Sequence, residues 1–167
     1  MREELTKEDI RRIEEEIEHR KLVVRKETIE AVKEARAQGD LSENFEYYAA
    51  KREKNQNEGR IRYLERMLRT ARVIEENRRS GVVGVNTRVR VLIIEEDEEE
   101  EYALVTSIRS NSRKNLISRE SALGKALFGH RIGDEVTVEV SETYSYRVRI
   151  LAVEAEEDVG QHALKRF

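Results

Sequence analysis

Two long, highly charged stretches of this chain each carry a single apolar stripe, and only five residues, Gly39-Asp40-Leu41-Ser42-Glu43, join them. From Thr6 to Gln38 the stripe runs through Ile10, Ile13, Ile17, Val24, Ala31 and Ala35, with Thr28 filling one gap and Arg20 at another seam position. Steps of three, four and seven describe one face of a long helix. A second register runs from Asn44 to Glu76 through Tyr47, Ala50, Lys54, Asn57, Ile61, Leu64, Leu68 and Ala71, alternating three and four as in a coiled-coil seam. So short a link forces the two helices antiparallel, and Gly39 suits the left-handed end of the first. The spacing predicts a helical hairpin with its tip at Asp40 to Glu43. At 1.5 Å rise per residue, arms of about thirty residues give a rod of roughly 45 Å. The seam is richest in Ile and Leu far from the tip and more polar toward it, as a finger anchored at its base requires.

Composition agrees with an elongated element. Charged residues make up 40% of the chain and aromatics 5%, too little large apolar surface for one thick core. The 32 basic and 35 acidic residues leave a net charge of -3, which gives no overall attraction to nucleic acid or to an anionic membrane. There is no cysteine, and His19, His130 and His162 are scattered, so disulfides and thiolate or imidazole metal clusters are excluded and any metal must sit on carboxylates. No apolar run is long enough to span a bilayer, and the start MREELTKEDI lacks a secretory apolar stretch. A cytoplasmic protein is expected.

Helical periodicity stops at Asn77-Arg78-Arg79-Ser80-Gly81, and alternation takes over. Val89, Val91 and Ile93, then Val136, Val138 and Val140, then Tyr146, Val148 and Ile150 mark three half-buried strands, with a fourth over Tyr102 to Ile108. Ala122, Leu123, Ala126 and Leu127 fall at helical spacing between Ser121 as N-cap and Gly129. The acidic run Glu95 to Glu101 reads as a solvated hairpin loop, and the segment after Glu154 as a frayed tail. The fold class is α+β: a helical hairpin over 1–77, a linker over 78–84, a small antiparallel-sheet domain with one short helix over 85–155, and a tail over 156–167.

The tip and the start of the second helix read Gly39-Asp40-Leu41-Ser42-Glu43-Asn44-Phe45-Glu46-Tyr47-Tyr48-Ala49-Ala50-Lys51. Taken alone, Asp40 and Glu43 form the Asp-x-x-Glu of a helix capping box. The run also closely resembles the GDLxENAEYxAA signature of the GreA/GreB transcript-cleavage factors. That resemblance continues through Glu58-Gly59-Arg60-Ile61, Ala71-Arg72-Val73-Ile74, Asn115-Leu116-Ile117-Ser118 and Gly133-Asp134-Glu135-Val136, from about Leu5 to Glu154 and in the family's order.

The resemblance implies an FK506-binding-protein-like second domain and a monomer that docks on RNA polymerase. The tip would then enter the secondary channel, where the polymerase cuts the 3′ end of backtracked RNA. It implies that Asp40 and Glu43 help hold a second Mg²⁺ beside the one the polymerase keeps, and help orient the attacking water. Two carboxylates three apart supply hard oxygens for an ion that prefers a few such ligands and retained waters. On this reading the chain is no enzyme by itself and binds no cofactor alone. Asn44, Phe45, Glu46, Tyr47 and Lys51 would support the tip or touch RNA; equally, Tyr47 packs in the seam while Glu46 and Lys51 are solvated. Phe45 replaces the family's usual small residue and Tyr48 stands where His is common, so an aromatic there either stacks on an extruded base or staples the tip. The docking loop would be Glu120-Ser121-Ala122, without the family's proline, and Tyr144-Ser145-Tyr146 replaces a Gly-rich hairpin. Basic residues of the first helix, among them Arg11, Arg12, Arg20, Lys21, Arg25, Lys26 and Lys33, are interleaved with Glu and read either as a guide for RNA or as a salt-bridged surface. Two other functions share this sequence: a channel-occupying regulator that blocks cleavage or initiation, and a coiled-coil adaptor that never meets polymerase.

Overall fold

The computed structural model describes residues 2–39, 44–76, 81–157, 159 and 162–166. These fall into two compact units, the first built chiefly by Glu8–Ala71 and the second by Glu4–Lys7 with Arg72–Arg166.

In the first unit, α1 (Lys7–His19), a π-helical turn (Arg20–Val24) and α2 (Arg25–Ala37) form one arm, and α3 (Phe45–Thr70) forms the other. Glu8 and Asp9 occupy the first turn of α1, where negative charge suits the helix dipole. His19 and Arg25, flanking the π turn, both keep helical dihedrals, so the arm runs through without a break. Ile13, Ile17, Thr28 and Ala35 are buried on one arm, and Tyr47, Ala50, Asn57, Ile61, Leu64 and Met67 on the other. The seam is therefore the expected one with three shifts: Asp9 is buried where Ile10 was expected, Met67 is buried in place of Leu68, and Arg60 enters the interior.

Arg60 is tolerated there because its charge is matched. Its Nε donates to Glu16 Oε2 at 2.8 Å and Nη2 to Oε1 at 3.3 Å, while Arg20 Nε donates to Glu16 Oε2 at 2.7 Å. Arg20 Nη1 in turn donates to Asn57 Oδ1 at 3.0 Å, and Asn57 Nδ2 to the Arg20 carbonyl at 3.3 Å. That carbonyl opens the π turn and also accepts from the Arg25 N–H. A buried polar layer of this kind fixes register, because a slip of the arms strands a charge in the interior. The outer pairs are Lys21–Glu65 at 2.7 Å, which is largely exposed and adds little, and Arg25–Glu58 at 3.0 Å, which is half-buried.

Burial alone would raise the Glu16 carboxyl, but the hydrogen bonds from Arg60 and Arg20 outweigh it and hold the group below its ordinary value. A depressed carboxyl contributes stability above its unfolded pKa, near 4.3, and loses it as pH falls through the lower folded value. Glu16→Gln is therefore expected to flatten the acid limb of the melting temperature followed at 222 nm from pH 5 down to 3. Superimposable acid limbs for the variant and the parent would dismiss Glu16 as a source of the pH dependence.

In the second unit, β1 (Glu4–Leu5) pairs in parallel with β2 (Arg72–Val73), and Ile74 N–H extends the pairing to the Leu5 carbonyl at 2.8 Å. A five-stranded sheet follows, built from β3 (Thr87–Ile93), β4 (Glu98–Val105), β5 (Leu116–Ser118), β6 (Glu135–Glu139) and β7 (Ser145–Ala155), in the order β5-β4-β3-β7-β6. Every pair is antiparallel except β4 with β5. A register shift between Arg90 and Val91 bends β7 against β3. The inward residues Val89, Val91, Val136, Val138, Val148 and Ile150 meet Leu123 and Leu127 of α4 (Ala122–Leu127) in one core. Burying side chains of this size stabilises by roughly 1.5–3 kcal/mol each. This is the small sheet-and-helix domain read from the alternation.

Several boundaries move. The second arm ends at Thr70 rather than near Glu76, because Arg72 and Val73 turn to pair with β1. Within the stretch read as linker, Val82 bridges Arg131 and Val83 is buried, with its N–H on the His130 carbonyl. The acidic run is only half a loop: Glu98 to Glu101 pair with Ile93 to Arg90 as the first half of β4. Val140 follows the end of β6 and is exposed. The frayed-tail reading fails at Glu156 and His162, both buried.

Candidate functional site

The tip is built by the ends of α2 and α3. α2 stops at Ala37, and Gly39 takes a φ of +126°, a backbone that L side chains rarely adopt and that lets the chain leave the arm. Asp40 and Glu43, with Leu41 and Ser42 between them, lie outside the described residues. The chain is defined again at Asn44, whose side chain works on both arms at once. Asn44 Oδ1 accepts from the Tyr47 N–H at 3.0 Å and caps α3, while Nδ2 donates to the Ala35 carbonyl at 2.6 Å at the end of α2. The acidic pair thus lies in a covalent link bracketed by a left-handed glycine and a cross-arm tether. Capping of α3 falls to Asn44, with the helix starting at Phe45, while the capping-box reading of Asp40 and Glu43 lies outside the described residues.

Past the cap, the expected supporting residues divide. Tyr47 is buried and packs edge-on to Tyr48, with ring centroids 5.4 Å apart. The Arg36 guanidinium lies 5.7 Å from the Tyr47 ring centre, and the Lys51 ammonium 6.0 Å from it. A hydrogen bond from Arg36, helped by these nearby cations, lowers the Tyr47 phenol below its ordinary value. Glu46 and Lys51 are exposed, the bland alternative for both. Phe45 is 86% exposed, and Tyr48 is 47% exposed beside it. Two aromatic rings therefore stand in solvent directly after the acidic link. Arg36 carries no signal in the sequence, because ten intervening residues separate it from Tyr47, across the turn, and no motif spacing joins them.

Along the first arm the basic residues are largely committed to carboxylates: Arg11 to Glu8 and Glu15, Arg20 to Glu16, Lys21 to Glu65 and Arg25 to Glu58. This is the salt-bridged surface rather than an open basic track. Among the described residues, no group of three or more His, Cys, Asp or Glu is placed to hold a metal ion.

In the second unit the three expected docking residues sit together at the start of α4. Ser121 Oγ donates to the Ser118 carbonyl at 2.7 Å and accepts from the Gly124 N–H at 3.0 Å, the N-cap expected of it. Glu120 is exposed and accepts from Ser107 Oγ at 2.8 Å, while Ala122 packs partly against the core. Gly124 makes this loop possible: a Cβ there would lie 1.9 Å from the Ser118 carbonyl oxygen.

Comparison with known proteins places both units. The family model described as "Transcription elongation factor, N-terminal" matches residues 3–73, and "Transcription elongation factor, GreA/GreB, C-term" matches residues 78–155. The transcription elongation factor GreA of Acetivibrio thermocellus is 46% identical over 139 residues, 83% of this chain and 87% of that one. GreA of Thermoanaerobacter pseudethanolicus is 47% identical over 137 residues, 81% of this chain and 87% of its own. Among solved structures, the GreA factor homolog 1 (Gfh1) protein of Thermus thermophilus is 27% identical with a TM-score of 0.43, covering 93% of this chain and 100% of its own.

Proposed function

The chain belongs to the GreA/GreB family of transcription elongation factors, and on that premise we propose that it docks on RNA polymerase, places its hairpin tip in the secondary channel and stimulates the polymerase to cut backtracked RNA. The observation that carries this reading is the acidic pair Asp40 and Glu43, lying in the link that joins the ends of two paired arms, with Asn44 tethering those ends.

In this reading the chain's own contribution is positional. The arms hold the carboxylates at the end of a helical rod, and Asn44 restrains the far side of the link. Asp40 and Glu43 match Mg²⁺ in donor chemistry, being hard carboxylate oxygens too few to enclose an ion by themselves, so the ion would be shared with the polymerase. When bound there, it supplies charge stabilisation at the scissile phosphodiester and lowers the pKa of an attacking water. The carboxylates orient that water, while the exposed rings of Phe45 and Tyr48 offer π faces to an unpaired RNA base. The catalytic machinery belongs to the polymerase, and this chain acts as its cofactor rather than as an enzyme. Glu120, Ser121 and Ala122 are the proposed docking loop, the working form is a monomer, and the cytoplasm is its place. No helix among the described residues is long and apolar enough to cross a membrane.

The test is a defined backtracked elongation complex, with Mg²⁺, to which the purified chain is added. Release of short 3′ fragments well above the polymerase's intrinsic rate is expected. A chain that binds and suppresses intrinsic cleavage is a channel-blocking regulator instead, and one that fails to co-elute with core polymerase is an adaptor of another kind.

A further inference from the structure

The second unit carries a basic hollow whose cations the cleavage reading leaves unused, although Ser121 of the proposed docking loop stands on its wall. Its walls include Arg88, Arg109, Arg113, Lys114, Lys165 and Arg166, and no Asp or Glu is among its described lining residues. That is a pronounced local separation of charge in a chain of net charge -3. The hollow is a built feature. Arg109 is fully buried at its floor, with Nη2 donating to Asn86 Oδ1 at 2.7 Å and Nη1 3.1 Å from His162 Nδ1. Beneath it, Arg88 donates to the buried Glu156 carboxylate at 2.8 Å, and His162 Nε2 lies 3.6 Å from the same oxygen. These contacts fold the segment after β7 back onto the sheet, and the Lys165 N–H reaches the Ile108 carbonyl. Two exposed cationic pairs, Arg113-Lys114 and Lys165-Arg166, then line the hollow from separate segments. The second pair lies beyond the part of the chain that the family model matches.

We propose that this hollow is a phosphate-backbone site that holds a short stretch of a single nucleic-acid strand. Its volume of about 830 Å³, open on one side, matches a short stretch of strand laid along it. Among the described residues the lining has cations and no Phe, Tyr or Trp, and its one ring, the His162 imidazole, is buried against Arg109, so the hollow grips phosphates without stacking bases, and binding is independent of sequence. That the strand is the transcript rests on the elongation-factor reading; the preference for phosphates does not.

The test uses the full chain, without polymerase, and a fluorescein-labelled 12-mer RNA of mixed sequence, followed by anisotropy from 50 to 300 mM NaCl. Arg113→Glu/Lys114→Glu changes two exposed side chains and is expected to weaken binding at least tenfold at 100 mM. It should also flatten the plot of log affinity against log salt by about 1.4, the loss of two single-strand phosphate contacts. Lys26→Glu/Lys33→Glu, the same charge change on the exposed face of the hairpin, is expected to stay within about twofold of the parent. An unlabelled DNA 12-mer competing as well as RNA supports a backbone site. The assignment is overturned if the hairpin reversal weakens binding and the hollow reversal does not, or if neither does. It is also overturned if an oligo-glutamate peptide of equal charge competes as well as RNA, which would make the hollow a seat for acidic protein. Inorganic tripolyphosphate competing better than RNA at equal phosphate would reassign it to a small phosphorylated ligand. Because the readout is binary binding, its failure leaves the cleavage reading standing, and failure of the cleavage assay leaves this result intact.

Discussion

Asp40→Asn/Glu43→Gln is expected to bind core polymerase as the parent does and to lose at least about 100-fold of stimulated cleavage. Both substitutions keep size and polarity and remove only the anionic oxygens that the proposed shared Mg²⁺ needs. Electrostatic stabilisation by such an ion amounts to several kcal/mol, and each 1.36 kcal/mol is tenfold in rate. Co-elution with polymerase and fragment release from a backtracked complex give the two readings side by side. A double variant that still cleaves at the parental rate removes the acids from the mechanism. Asn44 separates positioning from chemistry in the same assay. Asn44→Ser keeps a cap for α3 but is too short to reach the Ala35 carbonyl, so it should melt near the parent and still cleave more slowly. Asn44→Ala should lose both, including about 1 kcal/mol of stability. Equal cleavage by Asn44→Ser and the parent would show that the cross-arm tether does not position the link.

Gly124→Ala is the change expected to cost the fold most. The new methyl would lie 1.9 Å from the Ser118 carbonyl oxygen, 2.8 Å from its carbon and 2.9 Å from Ser121 Oγ. The first two are backbone atoms, so relief requires α4 to move away from β5. Overpacking of this kind destabilises by about 1–3 kcal/mol, occasionally more. For a domain of this size each kcal/mol shifts Tm by about 4–8 °C. A calorimetric melt should therefore show the sheet unit unfolding roughly 10 °C lower, with the 222 nm signal of the hairpin little changed before that transition. Since Ser118 and Ser121 shape the loop proposed to dock on polymerase, affinity for polymerase should fall with it. A parental melting profile would mean that the helix and strand separate at negligible cost.

The hairpin and the sheet core were legible because each rests on a period. Ile13, Ile17, Ile61 and Leu64 repeat with the helix, and Val89, Val91, Val148 and Ile150 alternate with the strand. What escaped notice has no period. Glu98 to Glu101 form half a strand, yet all four side chains are alike, so alternation is silent there. The burial of Arg60 has no signal on its own helix because it depends on Glu16, which belongs to the other arm. His162 and Glu156 looked like tail because their partners Arg109 and Arg88 lie far back in the chain. At the tip, Asp40 and Glu43 lie outside the described residues and their chemistry stays a proposal made from the sequence, whereas the role of Asn44 emerged from its bond to Ala35. Pairwise electrostatics across long sequence separations leave no local signature.

The two-residue ladder of β1 and β2 also bears on how the protein reaches its fold. Leu5 and Val73 must meet across nearly seventy residues of chain, a closure that taken alone is slow and entropically unfavourable. The intervening residues are the hairpin itself. Once its arms zip, a process dominated by local helical contacts, the far ends of those arms lie side by side and the remaining closure is that of a short loop. The hairpin thus acts as its own folding catalyst for the seam of the second unit. Changes that delay zipping, such as those in the Glu16–Arg60 layer, should slow the appearance of the β1–β2 pair even though no atom of that layer lies in either strand.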